Sequence, residues 1–226
     1  TFCSTVNSIL HCGAKPVLCD IDGETGNIDV SQLERKVTKN TKAVLVVHYA
    51  GMPCDMTRLM EFAYRHNLHV IEDCAHSIEG LHQGVSTGNF GVAGVYSFYA
   101  TKNIAVGEGG MVVTSDPELA HKVATLSLHG LSRGAWRRFS QPGRRTYDVV
   151  DIGYKANFTD IQAAIAIAQL RIVEANLIRR SQIWDFFLDA LDGLPLRLPT
   201  RPNGSGDRHA LHLFVAVLEE GYQRDA

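Results

Sequence analysis

Three apolar runs of strand length in this 226-residue chain each lead into a polar group able to do chemistry. "KAVLVVHYA" (residues 42–50) carries His48, "LHVIEDCAH" (68–76) carries Asp73 and His76, and "GVYSFYA" (94–100) carries Ser97. Between the first two lies "DMTRLMEFAYRHN", which puts Met56, Leu59, Met60 and Ala63 on one helical face and ends at Asn67. Strand, helix, strand in that order predicts a parallel β-α-β unit, and the wider alternation predicts an α/β fold with a mostly parallel sheet flanked by helices. "KPVLCDI" (15–21) and "GGMVVTS" (109–115) are two further candidate strands. Ligands of open α/β sheets gather outside the carboxyl ends of the strands, so His48, Asp73 and Ser97 are expected on one functional edge.

From Asn157 the pattern changes. In "NFTDIQAAIAIAQLRIVEANLIRRSQIWDFFLDAL", Thr159 reads as an N-cap with Asp160 in the first turn, and apolar residues recur at helical spacing. One long helix, or two nearly continuous ones, is expected over 159–191. The Gly- and Pro-rich "DGLPLRLPTRPNGSGD" then reads as a linker, and "HLFVAVLEE" as a strand. We therefore expect a large domain over 1–192 and, over 193–226, a linker with the start of a smaller C-terminal domain. The chain opens at "TFCST" without an initiator Met, and is read as an internal fragment of a longer protein.

Composition excludes several function classes. Lys and Arg total 22 against 24 Asp and Glu, a net charge of -2 without long runs of one sign, so neither nucleic acid nor an anionic membrane is an expected partner. The five cysteines are scattered without CxxC spacing, which predicts reduced thiols in a cytoplasmic protein. The ten histidines lack metal-ligand spacing, so no metal is expected. No apolar run approaches the roughly 18 residues of a membrane span.

Lys102 stands between Phe98 and Tyr99 on one side and "GEGG" on the other. A solvated lysine after a strand is the ordinary case. Here the glycines let backbone approach a ligand closely, and partial desolvation would make the amine a neutral nucleophile toward a carbonyl. "VGEGGM" lacks the GxGxxG order and precedes a strand, which disfavours a dinucleotide loop. Asp73 is a helix N-cap or a functional carboxylate, and His76 a surface histidine or a neighbour of both. A lysine that condenses with a carbonyl and a carboxylate that keeps a heteroaromatic nitrogen protonated are together what pyridoxal phosphate requires.

"IEDCAHS", "SFYATKNIAVGEGGMVVT", "LHG" and "GYKANFTDIQAAIAIAQL" occur in the order and spacing of the DegT-type sugar aminotransferases, which the chain resembles from Thr1 to about Arg180. The resemblance implies the pyridoxal-phosphate transferase fold of type I. It makes Lys102 the cofactor-linking lysine and Asp73 the partner of the pyridine nitrogen. His76 falls near the cofactor's 3-hydroxyl, Ser97 at its phosphate, and Phe2 over its ring, unless Phe2 is merely core. "GYKANFTD" corresponds to a stretch that crosses a homodimer interface into the neighbour's active site. There the chain has Lys155 and Asn157 where many relatives have Asn and Arg, so which side chain meets which anion stays open. The family's phosphate anchor lies upstream of "TFCST". His48 and His129 are candidate substrate contacts or structural histidines. The arginine-rich, tryptophan-bearing "SRGAWRRFSQPGRR" is a diphosphate site, an RNA site or a solvated loop.

The implied reaction moves an amino group from glutamate to a keto nucleotide sugar. "VHYAG", "LHGL" and "GYKANFTDI" lie nearest to members acting on a UDP-linked 4-keto pentose in lipid A modification. The alternatives are a non-catalytic nucleotide-sugar-binding or regulatory relative, and a same-fold sugar dehydratase, against which Lys102 argues because that branch replaces the lysine with His.

Overall fold

The computed structural model describes residues 2–132 and 148–222. Most of the arginine-rich loop lies outside the described residues. The main sheet has four strands: β1 (Ala43–Val47), β2 (His69–Asp73), β5 (Ala93–Ser97) and β6 (Gly110–Val113). They stand in the order β1-β2-β5-β6. β1, β2 and β5 are parallel, with Val47 beside Asp73 and Asp73 beside Val95, whereas β6 runs antiparallel to β5. Two minor strands, β3 (Leu81–His82) and β4 (Val85–Ser86), form a hairpin between β2 and β5.

Alternation along β1 and β2 puts Val44, Val46, Val70 and Glu72 on one face and buries them. Helix α2 (Met56–Arg65) covers that face with Met56, Leu59, Phe62 and Ala63, all buried. Full burial of such side chains stabilises by about 1.5–3 kcal/mol each, which makes this layer the main cohesive unit. The helix begins where Asp55 accepts the Arg58 amide. It stops at His66, after which Asn67 takes the left-handed conformation (φ 53°) that asparagine tolerates.

Glu72 is the one member of this apolar row that carries charge, and it is fully buried. Oε1 accepts from the amides of Phe90 (2.8 Å) and Gly91 (2.8 Å). Oε2 accepts from the Gly88 amide (2.7 Å) and lies 3.1 Å from His48 Nε2. Because His48 Nδ1 accepts the Cys54 amide (3.1 Å), the proton sits on Nε2 and is donated to the carboxylate. The 88–91 turn can deliver three amides only by lying against its neighbours. Gly88 has φ +89°, and a Cβ on Gly91 would stand 2.2 Å from the Val70 carbonyl oxygen.

Other elements surround this unit. α1 (Cys3–His11) lies at the start of the chain, and α3 (Pro117–Leu126) follows β6, its first turn capped by Asp116. The predicted helix over 159–191 is two helices, α4 (Asp160–Leu170) and α5 (Val173–Ala190), bent by 59° at the break. Thr159 does cap the first, in a reciprocal box with Gln162. Among the described residues no single helix is long and apolar enough to cross a membrane, although this bent pair has the length and composition together.

The expected strand over 15–21 does not form. Its backbone folds back on residues 27–29, with Asp22 N to Asn27 O (2.8 Å) and Asp29 N to Asp20 O (3.0 Å), leaving only an Ile21–Ile28 bridge. Of the expected strand over 212–220 only β8 (Val217–Leu218) forms, paired with β7 (Leu196–Arg197). The residues before it, 206–213, run as a strap across the large unit. Arg208 exchanges both backbone bonds with Leu81, Ala210 N bonds Gly51 O, and His212 N bonds Ala50 O.

Replacing Glu72 with alanine leaves three amides and an imidazole without their buried acceptor, and we expect urea denaturation to show a loss of about 3–5 kcal/mol. Burial pushes the Glu72 carboxyl up, but the bonds from His48, Gly91 and Gly88 outweigh it and hold it below its ordinary value of 4.5. A depressed carboxyl stabilises the fold above that value and ceases to do so as pH falls through its folded pKa. The wild-type stability should therefore drop below about pH 4.5 more steeply than that of Glu72→Gln.

Candidate active site

The carboxyl ends of β1, β2 and β5 meet at one edge. Glu72 and Asp73 point to opposite faces, so anchoring Glu72 in the core fixes where Asp73 emerges. Asp73 Oδ1 accepts the Ala75 amide (3.1 Å), and Oδ2 accepts the hydroxyl of Thr5 from α1 (2.8 Å). Both are local restraints on a half-buried carboxylate. Thr5 was invisible to sequence reasoning because 68 residues separate it from Asp73.

Lys102 follows β5 in a turn, its amide bonded to the Tyr99 carbonyl (2.9 Å). The loop after it is braced by α4: the Gln169 side chain bonds both N–H and C=O of Ala105, and Gln162 Nε2 donates to the Glu108 carbonyl. Lys102 is half-buried. Burial lowers its pKa from the ordinary 10.5, and the Asp73 carboxylate opposes that shift. The lowered pKa makes the neutral, nucleophilic amine easier to reach than in a solvated lysine.

His76 completes the cluster. Burial lowers its pKa, helped by Lys102 and opposed by Asp73. Its ring lies 4.4 Å from that of His212 and 6.4 Å from that of Tyr49, and its Nδ1 is buried without a hydrogen-bond partner among the described residues. His212, supplied by the strap, was read from sequence only as part of a strand.

The remaining expectations divide. Ser97 closes β5 at the same edge, its hydroxyl oxygen accepting the Tyr99 amide (3.3 Å). Phe2 is the N-cap residue of α1, one turn before Thr5, and is largely exposed rather than core. Lys155 and Asn157 lie on the 148–158 segment, where Lys155 bridges to Leu128. His129 is exposed in a left-handed turn (φ 56°) and bonds that segment through its backbone, N to Tyr154 O (2.8 Å).

His48 requires correction. It reaches the functional edge in sequence, but its side chain is fully buried and both ring nitrogens are engaged, so it is a core anchor and not a substrate contact. Ligand atoms of His48, Glu72 and Cys74 approach within 4.8 Å of one another. The imidazole lone pair and the carboxylate oxygens already serve protein donors, and burial pushes the Cys74 thiol well up. A separate cavity of about 390 Å³ lies along α5, lined by Glu174, Ser181, Arg201 and Arg208 among others, and shares no residue with the Lys102 cluster.

The model of the DegT/DnrJ/EryC1/StrS aminotransferase family matches residues 1–226. The chain belongs to this family. It is 44% identical over 220 residues to the spore coat polysaccharide biosynthesis protein SpsC of Bacillus subtilis, an alignment covering 97% of this chain and 56% of that protein. The chain thus spans little more than half the length of this curated relative. Among solved structures it resembles the aminotransferase from Psychrobacter cryohalolentis, with a TM-score of 0.90 and 31% identity over all of this chain and 60% of that one. Spr1654 from Streptococcus pneumoniae in its PLP-form gives 0.85 and 28% over 97% and 59%. These neighbours have the type I fold of pyridoxal-phosphate aminotransferases, and this DegT-family chain shares it.

Pyridoxal phosphate is the cofactor of the family. The site's own chemistry fits it: a partly desolvated amine, a carboxylate restrained by Thr5 and Ala75, and between aromatic rings a buried imidazole nitrogen with no partner among the described residues.

The coupling of Asp73 to Lys102 is testable without cofactor. Asp73→Asn removes the charge that sustains the ammonium, so the amine should titrate at lower pH. At neutral pH it should be acylated severalfold faster, as read by mass spectrometry of the Lys102 peptide across a pH series. An unchanged midpoint would mean that the two groups are independent.

Proposed function

We propose that this chain is the cofactor-binding part of an aminotransferase that moves an amino group from glutamate to a keto nucleotide sugar. The observation that carries the reading is a partly buried amine, Lys102, with its pKa lowered and within electrostatic reach of Asp73, a carboxylate anchored by Thr5 and Ala75. Family membership supports amine transfer, and the polysaccharide role in the name of SpsC supports a sugar acceptor. The UDP-linked 4-keto pentose is our choice among sugars, on the phrases "VHYAG", "LHGL" and "GYKANFTDI".

Lys102, Asp73, His76, Ser97 and Phe2 would hold the cofactor. When bound, pyridoxal phosphate supplies an electron-withdrawing ring that accommodates the electron pair left when a C–H bond beside an amine breaks. Asp73 would hold a proton at the pyridine nitrogen, and its bonds from Thr5 and Ala75 keep the carboxylate oriented for that. Lys102 Nζ would take the proton from the donor's α-carbon. Its lowered pKa suits this, since a base is most effective when its pKa lies near the working pH. With a keto sugar as acceptor, Lys102 Nζ would return a proton to the carbon that receives the amine.

The active form in this reading is a homodimer with composite sites. Large apolar side chains are open to solvent beside the 153–161 segment, including Ile152, Tyr154 and Ile161, which suits burial against a second copy. Lys155 is exposed on the same stretch and would reach the neighbour's phosphate as a point charge. Residues 193–226 lead into the smaller domain that completes the sugar pocket.

In the full-length protein, Lys102→Ala should abolish both the visible absorbance of bound cofactor and amino-sugar formation from glutamate. Asp73→Ala should retain the absorbance and lose about 10²–10⁴-fold in turnover. Normal transamination by the Lys102 variant would remove the assignment.

A further inference from the structure

The residue after Lys102 holds a histidine that comes from the far end of the chain. Asn103 Nδ2 donates to Glu79 Oε2 (2.8 Å) and to the Ala210 carbonyl (3.1 Å). Both partners are acceptors, so the amide orientation is fixed and Oδ1 faces His212 Nδ1 at 2.8 Å. An amide oxygen only accepts, which places the His212 proton on Nδ1. Glu79 is itself buried and committed: its Oε1 pairs with Arg180 of α5, and its backbone carbonyl accepts from Arg208 Nε (2.7 Å). On the other side the His212 ring rests on His76, with an interplanar angle of 31°. Burial pushes the His212 pKa down to about 3, helped by His76, Lys102 and Arg180. Its ring therefore stays uncharged beside the lysine.

We propose that Asn103 and His212 form a positioning couple, in which Asn103 locks the His212 ring and that ring fixes the plane of His76 against the cofactor. The inference rests on the reading above that His76 faces pyridoxal phosphate. It assigns a role to the strap, whose backbone bonds to Leu81, Gly51 and Ala50 bring His212 over the site. It also accounts for the amide next to the reactive lysine. Asn103 is half-buried and makes three side-chain bonds, none to solvent-facing groups of its own loop. Neither His212 nor Asn103 need touch reacting atoms.

Two measurements on the full-length protein test this. In cofactor-free protein labelled with ¹⁵N-histidine, His212 should show the neutral Nδ1–H tautomer, unchanged between about pH 5 and 8. Asn103→Ala should release that tautomer preference and shift the His76 ring resonances. A wild-type Nε2–H tautomer, or His76 signals indifferent to Asn103→Ala, would overturn the couple. Pyridoxal phosphate is then titrated by absorbance into wild type, His76→Ala, His212→Ala and the double variant. We expect each single change to weaken binding about tenfold and the double also about tenfold, because both remove one shared interaction. Independent effects, about a hundredfold together, would overturn the proposal. If His212→Ala fails to fold, His212→Phe replaces it in the cycle; it keeps the ring against His76, so its binding loss should be smaller than that of His76→Ala. Wild-type protein that does not bind pyridoxal phosphate at all would instead sink the aminotransferase reading, and the tautomer would then decide the couple alone.

Discussion

A carboxylate inside the core, Glu72, draws three amides and one imidazole onto itself, and the geometry of the whole functional edge follows from that. Its donors come from the turn that leads into β5 and from His48 at the end of β1, so one side chain ties together three adjacent strands where their carboxyl ends meet. Charge-assisted hydrogen bonds contribute roughly 1.5–3 kcal/mol each, and four of them are of the size needed to offset the several kcal/mol that burying an ion costs. The balance leaves little net stability. What it provides is a fixed direction: with Glu72 held inward, Asp73 has nowhere to go but the site.

The loop carrying Lys102 is restrained in the same manner, by polar groups from distant parts of the chain. α4 reaches it through two glutamines, and Glu79 and the Ala210 carbonyl reach it through Asn103. A reactive lysine needs dehydration without paralysis, and these contacts fall on its neighbours, leaving the amine itself half-buried and, among the described residues, with no carboxylate at ion-pair distance. Thr5 applies the corresponding restraint to Asp73 from α1. The acid and the amine are thus set by separate pieces of scaffold that share the strand edge.

Much of this was legible in the sequence where local pattern decides structure. The apolar runs around Val44, Val70 and Val95 have strand length and do form β1, β2 and β5, the helix from Met56 carries its own caps, and Thr159 with Gln162 spells a helix start. The order of strands then puts Asp73 and Ser97 at one edge by topology alone. Legibility ended where distant backbone competes. Residues 15–21 look like a strand but find their partners in residues 27–29. His48 looks like an edge residue but is drawn inward, because Glu72 needs a donor that no local pattern announces. The apolar repeat from Ile161 onward allowed one helix or two nearly continuous ones, and it is the bend after Leu170 that the repeat did not announce. His212 could not be recognised, since nothing in "HALHLF" indicates that a segment more than a hundred residues downstream lies over His76.

The bond between Asn103 and His212 spans 109 residues, and the backbone contacts of the strap to Leu81 and Ala50 are longer still in sequence. During synthesis the strands, α2 and the Glu72 cluster can associate while the strap is still to be made, because their contacts are comparatively local. The His76 surroundings cannot. Closing so large a loop is slow compared with forming the sheet, so the contact between His76 and His212 matures after the strand edge beneath it. A chain interrupted before residue 207 would retain its lysine and its carboxylate yet leave the intervening imidazole open on one side.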